Sequence, residues 1–193
     1  SAVIDAKAAA DYLAGLETVD GGNLGVMGWS QGGTDALLAA EAHPGTFQAV
    51  VTWSGALELN GASLFAGTSF EDAYAQAKKE GFYTMTFDWR EPLELGERWF
   101  QEVAETNILK VTADIKAPIL AINGKDDTTV TPDNAEKIVK AAANADSQLL
   151  LVDNCDHTYN VFSGDFTALY QTVDATAAFF QAQLIPAAAQ AAA

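Results

Sequence analysis

The chain has 193 residues, 49% of them hydrophobic and 19% charged, enough for one domain with a packed core and incompatible with a disordered polymer. Its formal net charge of −16 argues against phosphate backbones and anionic lipid as partners, so neither nucleic acid nor a membrane is expected. One cysteine, Cys155, excludes an internal disulfide framework, and only two histidines exclude a histidine-rich metal site.

Short apolar runs alternate with amphipathic stretches. Residues 5–17 carry Ala6, Ala9, Ala10, Leu13 and Leu16 at helical spacing. After Gly21 and Gly22, the run Leu24 to Met27 reads as a buried strand, and residues 31–42 as a helix. Ala49 to Trp53 is a second strand and Pro118 to Ile122 a third. Thr131 then offers an N-cap with Pro132 at the first helical position, opening a helix that buries Ala135, Ile138, Val139 and Ala142. Leu149 to Val152 is a fourth strand. A last helix, from about Asp165 to Gln183, is expected to bury Phe166, Leu169, Val173, Ala177 and Phe180. Continuous apolar strands alternating with helices predict a parallel α/β sheet covered on both faces. The Ala-rich tail at 186–193 is expected to be frayed.

One connection is too long for a simple crossover. Between Ser54 and Ile119 lies a stretch holding nine of the 19 aromatic residues, among them Phe82, Tyr83, Phe87, Trp89, Trp99 and Phe100. It reads either as an excursion with its own small core or as a cap whose aromatics line a pocket. The predicted organisation is therefore core at 1–54, cap at 55–116, core again at 117–185, and the tail.

The chemistry sits where strands end. Gly28-Trp29-Ser30-Gln31-Gly32 matches G-x-S-x-G at the junction of an apolar strand and a helix. A strained turn there lifts the Ser30 hydroxyl above the sheet edge. The Gln31 N–H, at the start of the helix, can face a developing oxyanion. Small residues on either side, with Gly33, let the helix approach the strand. The serine needs a base. His43 lies at the far end of the same helix, about 20 Å away at 1.5 Å per residue, which excludes it. His157, in Asn154-Cys155-Asp156-His157 beyond the fourth strand, remains. An acid to orient it is offered by Asp126 or Asp127 in the loop after the third strand.

With these residues in place the chain resembles the latter part of an α/β-hydrolase, in which nucleophile, acid and base follow in the order Ser, Asp, His. The pattern G-x-x-D-x-x-V of that superfamily reads here Gly124, Asp127, Val130, and the resemblance selects Asp127 as the acid. The elbow, the cap and Asp156-His157-Thr158-Tyr159-Asn160 are similar to bacterial cinnamoyl and feruloyl esterases. A dienelactone hydrolase would carry cysteine where this chain has Ser30. The resemblance implies the C-terminal part of an α/β-hydrolase fold with a helical, aromatic-rich cap. It also implies a serine carboxylesterase acting through an acyl-enzyme on hydroxycinnamoyl-type esters, with no cofactor or metal. Trp29, Phe82, Trp89 and Trp99 are the candidate substrate contacts. A peptidase or thioesterase of the same fold is the alternative, and an inert fragment or binding module the alternative of another class. The superfamily's earlier strands and second oxyanion N–H have no counterpart in this sequence. The expectation is a companion N-terminal chain cut from the same precursor, or a homodimer, beside the elbow strand.

Overall fold

The computed structural model describes residues 2–61, 65, 67–87 and 90–185. The tail at 186–193 and the candidate contact Trp89 lie outside them. Two units divide the chain, residues 1–57 with 108–193 and, separately, residues 58–107.

The larger unit carries α1 (Ala2–Ala14), β1 (Gly25–Trp29), α2 (Gln31–Ala42) and β2 (Ala49–Trp53) before the insertion. In the smaller unit follow α3 (Phe70–Glu80), β3 (Phe82–Met85), β4 (Leu93–Gly96) and α4 (Glu97–Glu105). The larger unit resumes with α5 (Ile108–Asp114), β5 (Ile119–Gly124), α6 (Asp133–Ala141), β6 (Gln148–Val152) and α7 (Thr167–Leu184). The sheet is parallel throughout, in the order β1-β2-β5-β6, with Val50 opposite Val26 and Ile119, and Ala121 opposite Leu149.

Alternation along the strands divides the core. Val50, Ile119 and Ala121 pack with Ala36, Leu37 and Ala40 of α2, Ile108 of α5 and Ala135 and Ile138 of α6. Val51, Leu120 and Ile122 point the other way, against Ala168 and Phe179 of α7. Both faces of β2 and β5 are thus buried, as the unbroken apolar runs require.

Several expectations change. β1 is an outer strand of the described sheet, with the unpaired edge expected of it, but Met27 and Trp29 are each 45% exposed rather than buried. Leu149 on β6 is exposed because that strand holds the other edge. Only Ala10 of α1 is fully buried, since one face of that helix touches α2 and Leu13 points outward. Pro132, not Thr131, occupies the cap position of α6 in a helical conformation. The buried face of α7 is Ala168, Thr172, Thr176 and Phe179, whereas Phe166, Val173 and Ala177 are exposed. The threonines can turn inward because their hydroxyls bond back to the carbonyls of Ala168 and Thr172 at 2.9 Å. Thr176 also accepts the Trp53 indole N–H at 2.9 Å.

The insertion is narrower than 55–116, because Ile108 and Ile115 join the core of the larger unit. It is not wholly helical either: β3 and β4 form an antiparallel pair, Phe82 opposite Gly96 and Met85 opposite Leu93. Most of its aromatics make a core of their own. Phe65 and Phe100 are fully buried, with Phe70, Tyr74, Tyr83 and Trp99 in ring contact around them.

Candidate active site

Parallel strands end at one edge, and three loops beyond that edge supply the polar centre. Ser30 follows β1 directly at φ 56°, ψ −123°, a backbone conformation non-glycine residues rarely occupy. Its own N–H donates to Trp53 O at 2.8 Å and its carbonyl accepts the Gly33 N–H at 3.0 Å, so the turn is held from both sides. Gly28 is indispensable: a Cβ there would lie 1.9 Å from the Gly32 carbonyl oxygen. Gly33 approaches Gly55 so closely that a Cβ would come within 2.8 Å of its Cα. Gly32, although part of the motif, has open space where a Cβ would be. The close packing expected of the flanking glycines therefore rests on Gly28 and Gly33.

The His157 Nε2 lies 3.1 Å from Ser30 Oγ, and its Nδ1 lies 2.8 Å from Asp127 Oδ2. An ionised carboxylate only accepts, so Nδ1 carries the proton and Nε2 is left as the acceptor for the Ser30 hydroxyl. Asp127 is 2% exposed. Its Oδ1 accepts the backbone N–H groups of Thr129 and Val130 at 2.9 and 2.8 Å, and its Oδ2 is approached by Asn123 Nδ2 at 3.4 Å. Burial by itself would raise this carboxyl. The hydrogen bonds from His157, Val130 and Ser54 outweigh it and hold the group below the ordinary aspartate value. Asp126 is exposed, and its backbone N–H donates to Cys155 O, so of the two candidate acids the one aimed at the imidazole is Asp127. His43 ends α2 and takes no part.

Residues to which the sequence alone assigns no bracing role support this chain of hydrogen bonds. Asn123, fully buried, donates to Val130 O at 2.9 Å and so pins the turn carrying Asp127. Tyr159 is buried, with its hydroxyl 3.3 Å from both Ser54 Oγ and the Ile122 carbonyl. An asparagine near the end of an otherwise apolar strand is the available signal for the first; the second lies in the 156–160 stretch that carries the resemblance, which assigns it no role of its own. The His157 loop is shaped by Asp156, whose Oδ1 accepts the N–H groups of Thr158 and Asn160 at 2.8 and 3.0 Å. Cys155 is fully buried, and burial with three neighbouring aspartates pushes its thiol up to about 11, which leaves it a small neutral core residue.

Of the candidate substrate contacts, Trp29 stands beside the site, its indole N–H donating to the His157 carbonyl at 2.9 Å. Trp99 packs into the core of the insertion, and Phe82 is 38% exposed at the start of β3. Among the described residues no group of three or more His, Cys, Asp or Glu could hold a metal ion. No described helix is long and apolar enough to cross a membrane.

The sequence profile of the prolyl oligopeptidase family matches residues 2–185. The chain belongs to the prolyl oligopeptidase family. No curated protein sequence matches it. Solved structures place this family member on the α/β-hydrolase fold. Est1E from Butyrivibrio proteoclasticus superposes with a TM-score of 0.72 at 20% identity, over 95% of this chain and 70% of its own. The esterase domain of a Rhodothermus marinus protein gives a TM-score of 0.68 at 17% identity, over 94% and 69%. A puromycin-hydrolyzing peptidase of Mycobacterium tuberculosis gives 0.66 at 23% identity, over 95% of this chain but 25% of its own. At these identities the likeness establishes the fold. The four parallel strands are thus part of an α/β-hydrolase sheet, and family and fold together make the protein a hydrolase of ester or peptide bonds.

Proposed function

We propose that this family member is a serine carboxylesterase, with Ser30 as nucleophile, His157 as general base and acid, and Asp127 as the group that orients the imidazole. The observation that carries the reading is the unbroken hydrogen-bond sequence Ser30–His157–Asp127, at 3.1 and 2.8 Å, on a serine held at positive φ. Ser30 Oγ attacks the ester carbonyl carbon while its proton passes to His157 Nε2. The carbonyl oxygen becomes an oxyanion, which the Gln31 N–H at the start of α2 stabilises. His157 then returns the proton to the leaving alcohol, and an acyl-enzyme remains on Ser30. Water attacks that ester with its proton going to His157, and Ser30 is regenerated as the acid departs.

The preferred acyl group is a hydroxycinnamoyl type. Est1E has been crystallised with ferulic acid, and this chain shares its fold over most of its length. Initial rates on methyl ferulate, chlorogenate and short aliphatic p-nitrophenyl esters test this, with faster turnover of the first two expected. Equal or better rates on the aliphatic esters would remove the hydroxycinnamoyl assignment. The second reading is a peptidase, favoured by the family and by the puromycin-hydrolyzing neighbour. Cleavage of peptide amides without any preference for esters would replace the first reading with the second.

The proposal extends to the outer edge of β1. That edge, with Met27 and Trp29 half-exposed, suits a further strand from a companion polypeptide, which would also bring the second oxyanion N–H. Intact-mass and sedimentation analysis of the native protein tests it. An active monomer of 20.3 kDa would rule it out.

A further inference from the structure

Two hydrogen bonds do not fix an imidazole. Those at Nδ1 and Nε2 define an axis about which the ring can still tilt, and neither restrains the backbone that carries it. The restraint matters here because of where His157 comes from. It follows β6, at one edge of the described sheet, while Ser30 follows β1 at the other. Three strand spacings, about 14 Å, separate those edges, so the His157 loop must reach back across the end of the sheet.

We infer that Trp29 is the positioning residue that holds His157 at the end of that reach, an inference that rests on the serine-hydrolase reading above. Trp29 belongs to the strand that delivers the nucleophile, one residue ahead of it. Its Nε1–H donates to the His157 carbonyl at 2.9 Å, and its ring meets the imidazole with centroids 5.3 Å apart and planes 38° from parallel. The first contact fixes the backbone and the second blocks the tilt, from a side chain 128 residues away in sequence. The indole face also lies within the range at which a ring attracts a cation, so it favours the imidazolium formed as Ser30 attacks. A half-exposed tryptophan that served only to fill space would need neither contact.

The test separates clamp from substrate contact. Trp29→Phe keeps a ring face and loses the N–H; Trp29→Leu loses both. For each, kcat and KM are measured on p-nitrophenyl acetate and on methyl ferulate, with the second-order rate of Ser30 labelling by a fluorophosphonate. Melting curves confirm folding. A misplacement of about 1 Å at a reacting group can cost about 100-fold. We expect kcat to fall about tenfold in Trp29→Phe and up to about 100-fold in Trp29→Leu, equally on both esters, with KM unchanged and labelling slowed in parallel. A KM that rises for the larger ester while kcat holds would overturn the inference in favour of substrate contact, and unchanged parameters would overturn it outright. An unlabelled Ser30 in the wild-type protein would instead defeat the hydrolase reading. The clamp can then still be read from the imidazole proton resonances, which the indole face shields. With only two histidines in the chain they are readily assigned. A downfield move in Trp29→Leu supports the clamp, and resonances that stay put refute it.

Discussion

Replacing Asp127 by asparagine is a nearly isosteric change that should inactivate the enzyme while leaving it folded. One carboxylate oxygen accepts two backbone N–H groups, from Thr129 and Val130, at 2.9 and 2.8 Å. The new amide must therefore keep its carbonyl there, because an NH₂ in that place would leave both donors unpaired, at about 1–3 kcal/mol for the buried Val130 N–H. The NH₂ then occupies the Oδ2 position, 2.8 Å from His157 Nδ1. Facing a donor, Nδ1 becomes the acceptor, the ring proton moves to Nε2, and Nε2 can no longer take the proton of Ser30. A wrong tautomer of this kind costs about 10⁴ in kcat, or about 5.5 kcal/mol of barrier. The assay is steady-state hydrolysis of an aryl ester beside a thermal melt. Asp126→Asn, on an exposed side chain, is the control and should stay near wild type. An Asp127→Asn enzyme within tenfold of wild type, or an inactive Asp126→Asn, would refute the argument.

Ser30→Ala and His157→Ala should each lower turnover by about 10⁴–10⁶ with circular dichroism unchanged. Ser30→Gly, equally inactive, should melt above Ser30→Ala, because glycine accepts the positive φ of 56° that alanine resists. Gly28→Ala should abolish soluble expression or lower the melting temperature severely, its Cβ being forced to within 1.9 Å of a backbone oxygen, whereas Gly32→Ala should melt like wild type. The lowered folded-state value of Asp127 sets a pH dependence. A depressed carboxyl contributes stability that is fully present above its unfolded value, about 3.9, and is lost as pH falls from there through the folded value. Melting temperatures taken from pH 6 down to pH 3 should therefore drop more steeply for wild type than for Asp127→Asn; parallel curves would contradict the hydrogen-bonded carboxylate.

The places of Ser30 and His157, the nucleophile and base of the proposed mechanism, are legible because strand ends are marked in sequence. Apolar runs fix β1, β5 and β6, and the polar residues just past them are few. What the sequence could not carry was lateral position. Leu24 to Met27 is as apolar as Ala49 to Trp53, yet β1 is an outer strand of the described sheet and β2 an inner one, and only pairing decides between them. The face of α7 is legible in part: Leu169 and Phe180 pack against the core as expected, whereas Thr172 and Thr176 take places expected of apolar residues, since a hydroxyl bonded to the carbonyl four residues back is as buriable as a methyl. Tyr159 belongs to the 156–160 stretch that carries the resemblance, but its bracing role depends on Ser54, 105 residues earlier in the chain.

The point at which the 58–107 unit interrupts the larger one bears on how such enzymes diversify. Leu57 and Ile108, the residues on either side of it, are both anchored in the same core cluster, so the chain departs and returns through fixed posts. Because the intervening segment has a core of its own, exchanging it should leave the β2–β5 register unaltered. Doubling its length would add only about 0.6 kcal/mol to the entropy of closing the loop between those strands. One contiguous stretch of gene can then be replaced as a whole, while Ser30, Asp127 and His157, all in the larger unit, stay where the sheet holds them.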